Sequence, residues 1–274
     1  KDKGYTRFFM ENAKYPIPKG ATFFSDHWCK VNMVDNDIVE AIKFADQLGY
    51  PIILKPNNKS QGEDVFKIYD ATQLNRILSS LFERHNIVLI EEYIPGNDYR
   101  IVVLDDEVVM AYQRVPSSVI GTGKDTIVEL FTSRSEELKK IGRPLSINID
   151  DQRIQERLSC FYKVDANYIP EAGQEIVLLD NANLSTGGVA VDVTGTIHRN
   201  YIEMATKLTK TMGLRFAGVD LITADDITQP PISMKFIEIN SSPGLSHFAS
   251  LGQRFEKRVE QLYLKILIKL KNMV

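Results

Sequence analysis

Glu238 and Asn240 stand two residues apart in the run Phe236-Ile237-Glu238-Ile239-Asn240. On a β-strand that spacing puts both side chains on one face. The segment Gly218–Thr223 carries Asp220, and pairing the two strands would bring its carboxylate to the same face. Two carboxylates and an amide oxygen form a hard, all-oxygen donor set, suited to Mg²⁺ bound together with substrate phosphates. The flanking Val219, Leu221, Ile237 and Ile239 are expected to point the other way and lock the register. An ordinary acidic sheet face would carry the same charges. The turn Ser241-Ser242-Pro243-Gly244, directly after Asn240, favours a built site.

Three further groups could do chemistry beside it. Lys55 ends the apolar strand Tyr50-Pro51-Ile52-Ile53-Leu54 and precedes a polar loop, 56–64, containing Gly62. A lysine there, with backbone N–H groups closing over from the loop, could hold nucleotide phosphates. The glycine spacing is not that of a P-loop, and no helix follows directly; a surface lysine is the plain alternative. The run Glu91-Glu92-Tyr93-Ile94-Pro95-Gly96-Asn97-Asp98 leaves a strand in an extended form. It could offer backbone groups to an adenine edge, with an acidic residue accepting from ribose hydroxyls; a hairpin entry reads the same way. Arg100 and Arg114 could clamp a carboxylate or phosphate, or serve as surface ion pairs. His27, His85, His198 and His247 lack metal-ligand spacing. Cys29 and Cys160 read as small buried hydrophobes.

The elements that must position these groups alternate between helix and strand. Helices are expected at 4–13, 36–48, 71–84, 125–142 and 151–161. Another carries Ile202, Ala205, Leu208, Thr209 and Met212, closed by Gly213. The last carries Phe255, Val259, Leu262, Ile266 and Leu270 on one stripe, with Lys257, Arg258, Lys265, Lys269 and Lys271 forming a solvated basic face. Strands are expected at 50–55, 65–69, 87–92, 175–179, 189–193, 218–223 and 234–239, and a hairpin spans 99–114 around Asp105-Asp106. The class is α+β, with mostly antiparallel sheets backed by helices.

Composition narrows the partners. The chain has 274 residues, 33 basic and 36 acidic, for a formal net charge of −3, so no global positive field draws nucleic acid. No segment reaches the roughly 20 apolar residues of a membrane helix. Two cysteines are too few for a disulfide framework and fit a reducing, cytoplasmic setting. The N-terminal residues lack the apolar core of a secretory signal. They also lack an initiator Met, which fits a piece of a longer chain.

Taken in order, the motifs resemble the ATP-grasp superfamily of carboxylate–amine ligases. They are Asp2-Lys3, Pro51 to Pro56, Glu91 to Arg100, Asn183-Leu184-Ser185-Thr186-Gly187-Gly188, Ala217 to Leu221, and Phe236 to Gly244. Arg114-Val115-Pro116, the run Val119 to Ile127 and Asn181 to Gly188 are most similar to the cyanophycin synthetase and bifunctional glutathione synthetase branch. The resemblance implies an ATP-grasp fold across 1–274, with two α+β subdomains clasping ATP. The smaller lobe would be about 15–93, and the larger 1–14 with 94–274.

It also implies roles. Lys3 and Lys55 would contact ATP phosphates, under a loop 57–64 containing Gly62. Glu91, Glu92, Tyr93 and Ile94 would line the adenine slot, and Asp98 would take the ribose. Asp220, Glu238 and Asn240 would hold Mg²⁺, or Mn²⁺ in its place. Arg100, Arg114 and Asn183 would face the transferred phosphoryl group or the acceptor carboxylate. The activity implied is ATP-dependent amide bond formation through an acylphosphate. The partners implied are ATP, small amino-acid or peptide substrates and other domains of a longer chain; sheet and helix surfaces would both suit a homo-oligomer, and the oligomeric state stays open. The alternative is a non-catalytic nucleotide-binding module. The loop has one glycine where relatives often have more, and the domain that usually precedes Lys3 in relatives is expected to be missing.

Overall fold

The computed structural model describes residues 2–60 and 62–271. Its elements are, in chain order, α1 (Lys3–Asn12), β1 (Gly20–Phe24), α2 (Asp26–Asn32), α3 (Ile38–Leu48), β2 (Ile52–Pro56), β3 (Phe66–Ile68), α4 (Ala71–Arg84), β4 (Ile87–Glu92), β5 (Asn97–Leu104), β6 (Glu107–Val115) and β7 (Ser118–Ile120). They continue with α5 (Ile127–Lys140), α6 (Gln152–Arg157), β8 (Glu175–Val177), β9 (Val189–Asp192), α7 (Arg199–Thr211), β10 (Phe216–Thr223), β11 (Lys235–Asn240), α8 (Ser246–Ala249) and α9 (Gln253–Lys271).

Helix ends follow side chains able to satisfy the free N–H groups of a first turn. Asp37 caps α3 through Val39 and Glu40, and Asp70 caps α4 through Gln73. Thr126 and Glu129 close a reciprocal capping box on α5. The helix expected at 151–161 becomes α6 followed by a π-helical turn, Leu158–Tyr162. The elements β1, α2 and β7 were not expected. Each is seven residues or fewer and carries little periodicity to read.

All strand pairs are antiparallel. One sheet runs β1-β4-β2-β3, and a second runs β11-β10-β5-β6-β9; β7 and β8 form a separate two-stranded pair. In the four-stranded sheet, Ile52, Leu54, Phe66, Ile68, Val88 and Ile90 face α3 and α4 and build one core with Ala41, Ala45, Leu74, Ile77, Leu78 and Leu81. The alternate residues Ile53, Lys55, Lys67 and Glu91 therefore face the opposite side. In the five-stranded sheet, Tyr99, Ile101, Val103, Val219 and Leu221 pack under α7 through Tyr201, Ala205 and Leu208. Val102, Leu104, Met110 and Tyr112 pack on the other face against Phe248, Val259 and Leu262. Arg100 and Asp220 belong to that second face by the same alternation, beyond the end of its apolar patch.

A fourth core is separate. Val119, Ile127, Phe131, Ile154, Leu158, Ile176, Leu178 and Leu179 pack together, so residues 119–179 form an insert with its own apolar centre. On α9, Phe255, Val259, Leu262 and Ile266 face the sheet as expected; the side chain of Leu270 lies outside the described residues. Three residues of the basic face of α9 are tied down, and the side chain of Lys271 lies outside the described residues. Arg258 pairs with Asp192 and Lys265 with Glu107, and Lys269 reaches Asp105 at 2.7 Å. No described helix is long and apolar enough to cross a membrane.

The insert is joined to the four-stranded sheet's helices at Glu156. Its buried carboxylate accepts both terminal nitrogens of Arg76, one at 2.8 Å, and Gln73 Nε2 at 3.1 Å. Burial works to raise this carboxyl, but the Arg76 and Gln73 hydrogen bonds outweigh it and hold it below its ordinary value of 4.5. A group depressed on folding stabilises above its unfolded pKa, and that contribution is lost as pH falls through the folded value. Wild type is therefore expected to be more stable than Glu156→Gln at pH 7, with the gap closing as pH falls below the ordinary value of 4.5. Urea midpoints measured for both proteins from pH 7 down to pH 3 check this.

Candidate active site

One cleft of about 310 Å³ lies between the two large sheets and the insert. All fourteen residues singled out from the sequence reach its wall: Lys3, Lys55, Gly62, Glu91, Glu92, Tyr93, Ile94, Asp98, Arg100, Arg114, Asn183, Asp220, Glu238 and Asn240. They come from seven separate stretches of chain, so the fold, and not local sequence, assembles them.

The four-stranded sheet supplies a buried cation. Lys55 is 6% exposed and its Nζ lies 2.5 Å from Glu91 Oε2; Arg7 of α1 reaches Glu91 Oε1 at 3.3 Å. The Glu91 side chain is thus committed to holding two cations. Lys3 Nζ donates to the Lys59 carbonyl, which brings the N-terminal helix to the loop. Lys67 sits over the Tyr93 ring, 3.5 Å from its centroid. Lys67 was missed from the sequence. Its alternation with the buried Phe66 and Ile68 is the signal that would have placed it on the cleft face.

The five-stranded sheet supplies the acidic face. Asp220 lies opposite Glu238, and Gly218 opposite Asn240, so three oxygen donors share one side. One detail departs from expectation. Register shifts between Asp220 and Leu221, whose partners are Glu238 and Phe236, so Ile237 is an extra residue in β11. A bulge of this kind turns two successive side chains toward one face. Ile237 therefore lines the cleft beside Glu238, whereas Val219, Leu221 and Ile239 do point into the core as expected.

Charges on this face are chained. Arg100 grips Asp220 with Nε and Nη2, both at 2.6 Å, and Arg114 adds a contact at 3.2 Å. Arg114 also donates twice to Asp98 Oδ1, at 3.0 and 2.6 Å. Burial would raise the Asp220 carboxyl, but the two guanidinium charges hold it below the usual range. Asp98 is pushed up by burial against the pull of Arg114. Asp98 is thus already engaged on one oxygen. Among the described residues, the Glu238 side chain makes no hydrogen bond or ion pair, and the Asn240 amide makes none either. No three His, Cys, Asp or Glu side chains converge among the described residues. The donor set is two carboxylates and one amide oxygen, which fits Mg²⁺ completed by phosphate oxygens.

The loop Asn183–Gly188 forms the third wall. Leu184–Thr186 make one 3₁₀ turn, and Gly187 follows at φ +95°. The buried Arg143 braces the turn, donating Nη2 to the Gly188 carbonyl at 2.9 Å. Gly62 approaches this wall closely. Its φ is +70°, and a Cβ there would sit 2.2 Å from Asn183 Nδ2 and 2.7 Å from Asn181 Nδ2. Gly62→Ala is expected to push the loop away from the wall, since the left-handed conformation alone costs a side chain about 1–2 kcal/mol. Hydrogen exchange should rise across residues 57–64 while the global unfolding midpoint stays near wild type.

An α+β fold with two antiparallel sheets about one cleft, lysines on one wall and an oxygen-rich face on the other, is an ATP-grasp fold. The chain belongs to the RimK-like ATP-grasp domain family, whose sequence profile matches residues 28–119 and 180–260. The unmatched stretch between them is almost entirely the insert with its own core. Cyanophycin synthetase of Trichormus variabilis is 30% identical over 267 residues, covering 94% of this chain and 28% of that protein. The bifunctional glutathione biosynthesis protein of Enterococcus faecalis is 29% identical over 283 residues, covering 95% and 35%. This chain thus spans about a third of these relatives or less. D-Alanine–D-alanine ligase from Bacillus anthracis shares the fold, with a TM-score of 0.53 at 15% identity over 89% of this chain and 58% of that one.

Proposed function

We propose that this chain is the catalytic core of an ATP- and Mg²⁺-dependent ligase joining an amino-acid or peptide carboxylate to an amine. The observation that carries the reading is the meeting of Lys3, Lys55, Arg100, Arg114 and the Asp220–Glu238–Asn240 face on one cleft. A binding module that only held nucleotide would not need both a metal face and two guanidinium groups behind it.

Lys55 and Lys3 contact the phosphates, and loop 57–64 covers them. The backbone of Glu91 to Ile94 reads the adenine edge, with Tyr93 and Ile94 along the slot. Asp98 uses its remaining oxygen for the ribose, while Arg114 fixes the other. Asp220, Glu238 and Asn240 hold Mg²⁺, or Mn²⁺ in its place, which neutralises phosphate charge when bound. Asp220 and Asp98 fix the two guanidinium groups in place. Arg100 and Arg114, with Asn183, face the transferred phosphoryl group and the acceptor carboxylate.

The acceptor carboxylate oxygen attacks the γ-phosphorus and ADP leaves, giving an acylphosphate. The amine then attacks the acyl carbon, phosphate leaves, and the amine loses a proton as the amide forms. Positioning and charge neutralisation suffice for phosphoryl transfer, so no nucleophilic side chain is required. Partners inferred are ATP, small amino-acid or peptide substrates, and further domains such as the longer relatives have room for; a homo-oligomer is also compatible. No nucleic acid or membrane is inferred, and the compartment is cytoplasmic.

Hydroxylamine tests the reading without knowledge of the amine. Protein, Mg²⁺-ATP and a panel of amino acids and dipeptides should yield a hydroxamate and ADP together with at least one acid. ATP bound with no ADP formed across the panel would favour the binding module.

A further inference from the structure

The Gly62 carbonyl is a junction. It closes the loop's own turn by accepting from the Val65 N–H at 3.3 Å. It also accepts from two groups across the cleft, Arg153 Nη1 at 2.5 Å and Asn181 Nδ2 at 3.3 Å. Arg153 is aimed before it arrives. Its Nε and Nη2 donate to the two oxygens of Asp151, at 2.8 and 2.6 Å, and Asp151 Oδ1 also accepts the Arg153 backbone N–H to cap α6. A guanidinium fixed along one edge has little rotamer freedom left to lose, so its remaining donor makes a third bond at small entropic cost. The side chain is 11% exposed, and it lies in a small enclosed space with Val65, Lys67 and Asn181, behind the cleft wall. One turn further along α6, Glu156 grips Arg76 and Gln73 of α4. A single short helix of the insert therefore holds both the loop and the helix layer of the four-stranded sheet.

We propose that Arg153 is a positioning residue, which fixes the Gly62 peptide and through it the shape of the loop over the phosphates. The peptide unit is planar and rigid. Anchoring its carbonyl toward the insert sends the Glu63 N–H back to Ser60 O, at 3.2 Å, and sets the turn that loop 57–64 adopts. This inference rests on the reading of 57–64 as the loop that covers ATP.

Two measurements separate the inference from that reading. The first needs no nucleotide. Trypsin cleavage after Lys59 in the whole chain, mapped by mass spectrometry, is expected to be about tenfold faster in Arg153→Met, as loss of one charged hydrogen bond predicts. Arg153→Lys should recover much of the protection, because one ammonium donor still reaches a carbonyl, and cutting elsewhere should be unchanged. The second is calorimetric titration with Mg²⁺-ATP, where Arg153→Met should raise Kd about tenfold and Arg153→Lys less. Equal cutting after Lys59 in wild type and Arg153→Met overturns the proposal, as does faster cutting everywhere with no recovery by lysine, the mark of a general bracing role. Absence of Mg²⁺-ATP binding by wild type would instead defeat the ATP reading, and the proteolysis would still decide the role of Arg153. Should Arg153→Met fail to fold, Asp151→Asn, which frees the guanidinium, is expected to speed the same cut, and no change there also overturns the proposal.

Discussion

Glu238→Gln is expected to lower ATP turnover about a thousandfold, the upper range for losing one preorganised electrostatic group, while the nucleotide-free protein unfolds as wild type does. The two halves of that expectation come from different observations. Asp220 is already bound by Arg100 and Arg114, so it has the least negative charge to offer a cation. Glu238 faces the same side from the paired strand and, among the described residues, has no partner of its own. On the proposed metal face, the uncommitted charge is therefore concentrated at Glu238. Replacing it by an isosteric amide removes that charge and breaks no contact, which is why stability should hold. ADP formation and thermal unfolding, measured on the same preparation, check both halves. Undiminished turnover would remove Glu238 from the metal site.

Glu91→Gln should act in the opposite way and damage the fold first. Side-chain exposures of Lys55, Glu91 and Arg7 are 7%, 5% and 9%, so the three charges are all buried. Removing one partner from a buried ion pair leaves a charge uncompensated and costs about 3–5 kcal/mol. Two cations depend on this carboxylate, which places the loss at the upper end of that range. The urea midpoint reports it. A double change, Lys55→Met with Glu91→Leu, removes that pair together and should recover part of the stability, because buried pairs add little over apolar packing and only Arg7 is then left without its carboxylate. It should not recover nucleotide binding, since the lysine proposed to contact the phosphates is gone. A double variant that still binds Mg²⁺-ATP with wild-type affinity would show that Lys55 is structural only.

Much of this was legible from one dimension. The apolar run before Lys55, the i,i+2 spacing of Glu238 and Asn240, and the hairpin around Asp105-Asp106 follow from strand alternation, which sequence records directly. The bulge at Ile237 was not legible. It is one extra residue in an otherwise regular pattern, and its effect depends on the partner strand. The partner of Asp98 was hidden for a related reason. Asp98 and Arg114 are 16 residues apart but face each other across β5 and β6, so register alone brings them together. The separate core of 119–179 was also missed, because its apolar residues are spread over β7, α5, α6, β8 and a π-helical turn. Likewise, nothing near Arg153 in sequence announces Gly62, 91 residues away.

Thermal unfolding of the whole chain with and without Mg²⁺-ATP, beside a Glu238→Gln, Asn240→Ala control, tests the central claim most directly. Ligand at 100 times its Kd should add about 2.7 kcal/mol of stability, raise the midpoint only when magnesium is present, and lose that rise in the control. An unmoved midpoint at millimolar Mg²⁺-ATP, or an equal rise in the control, would contradict the assignment of this cleft as a metal-dependent ATP site.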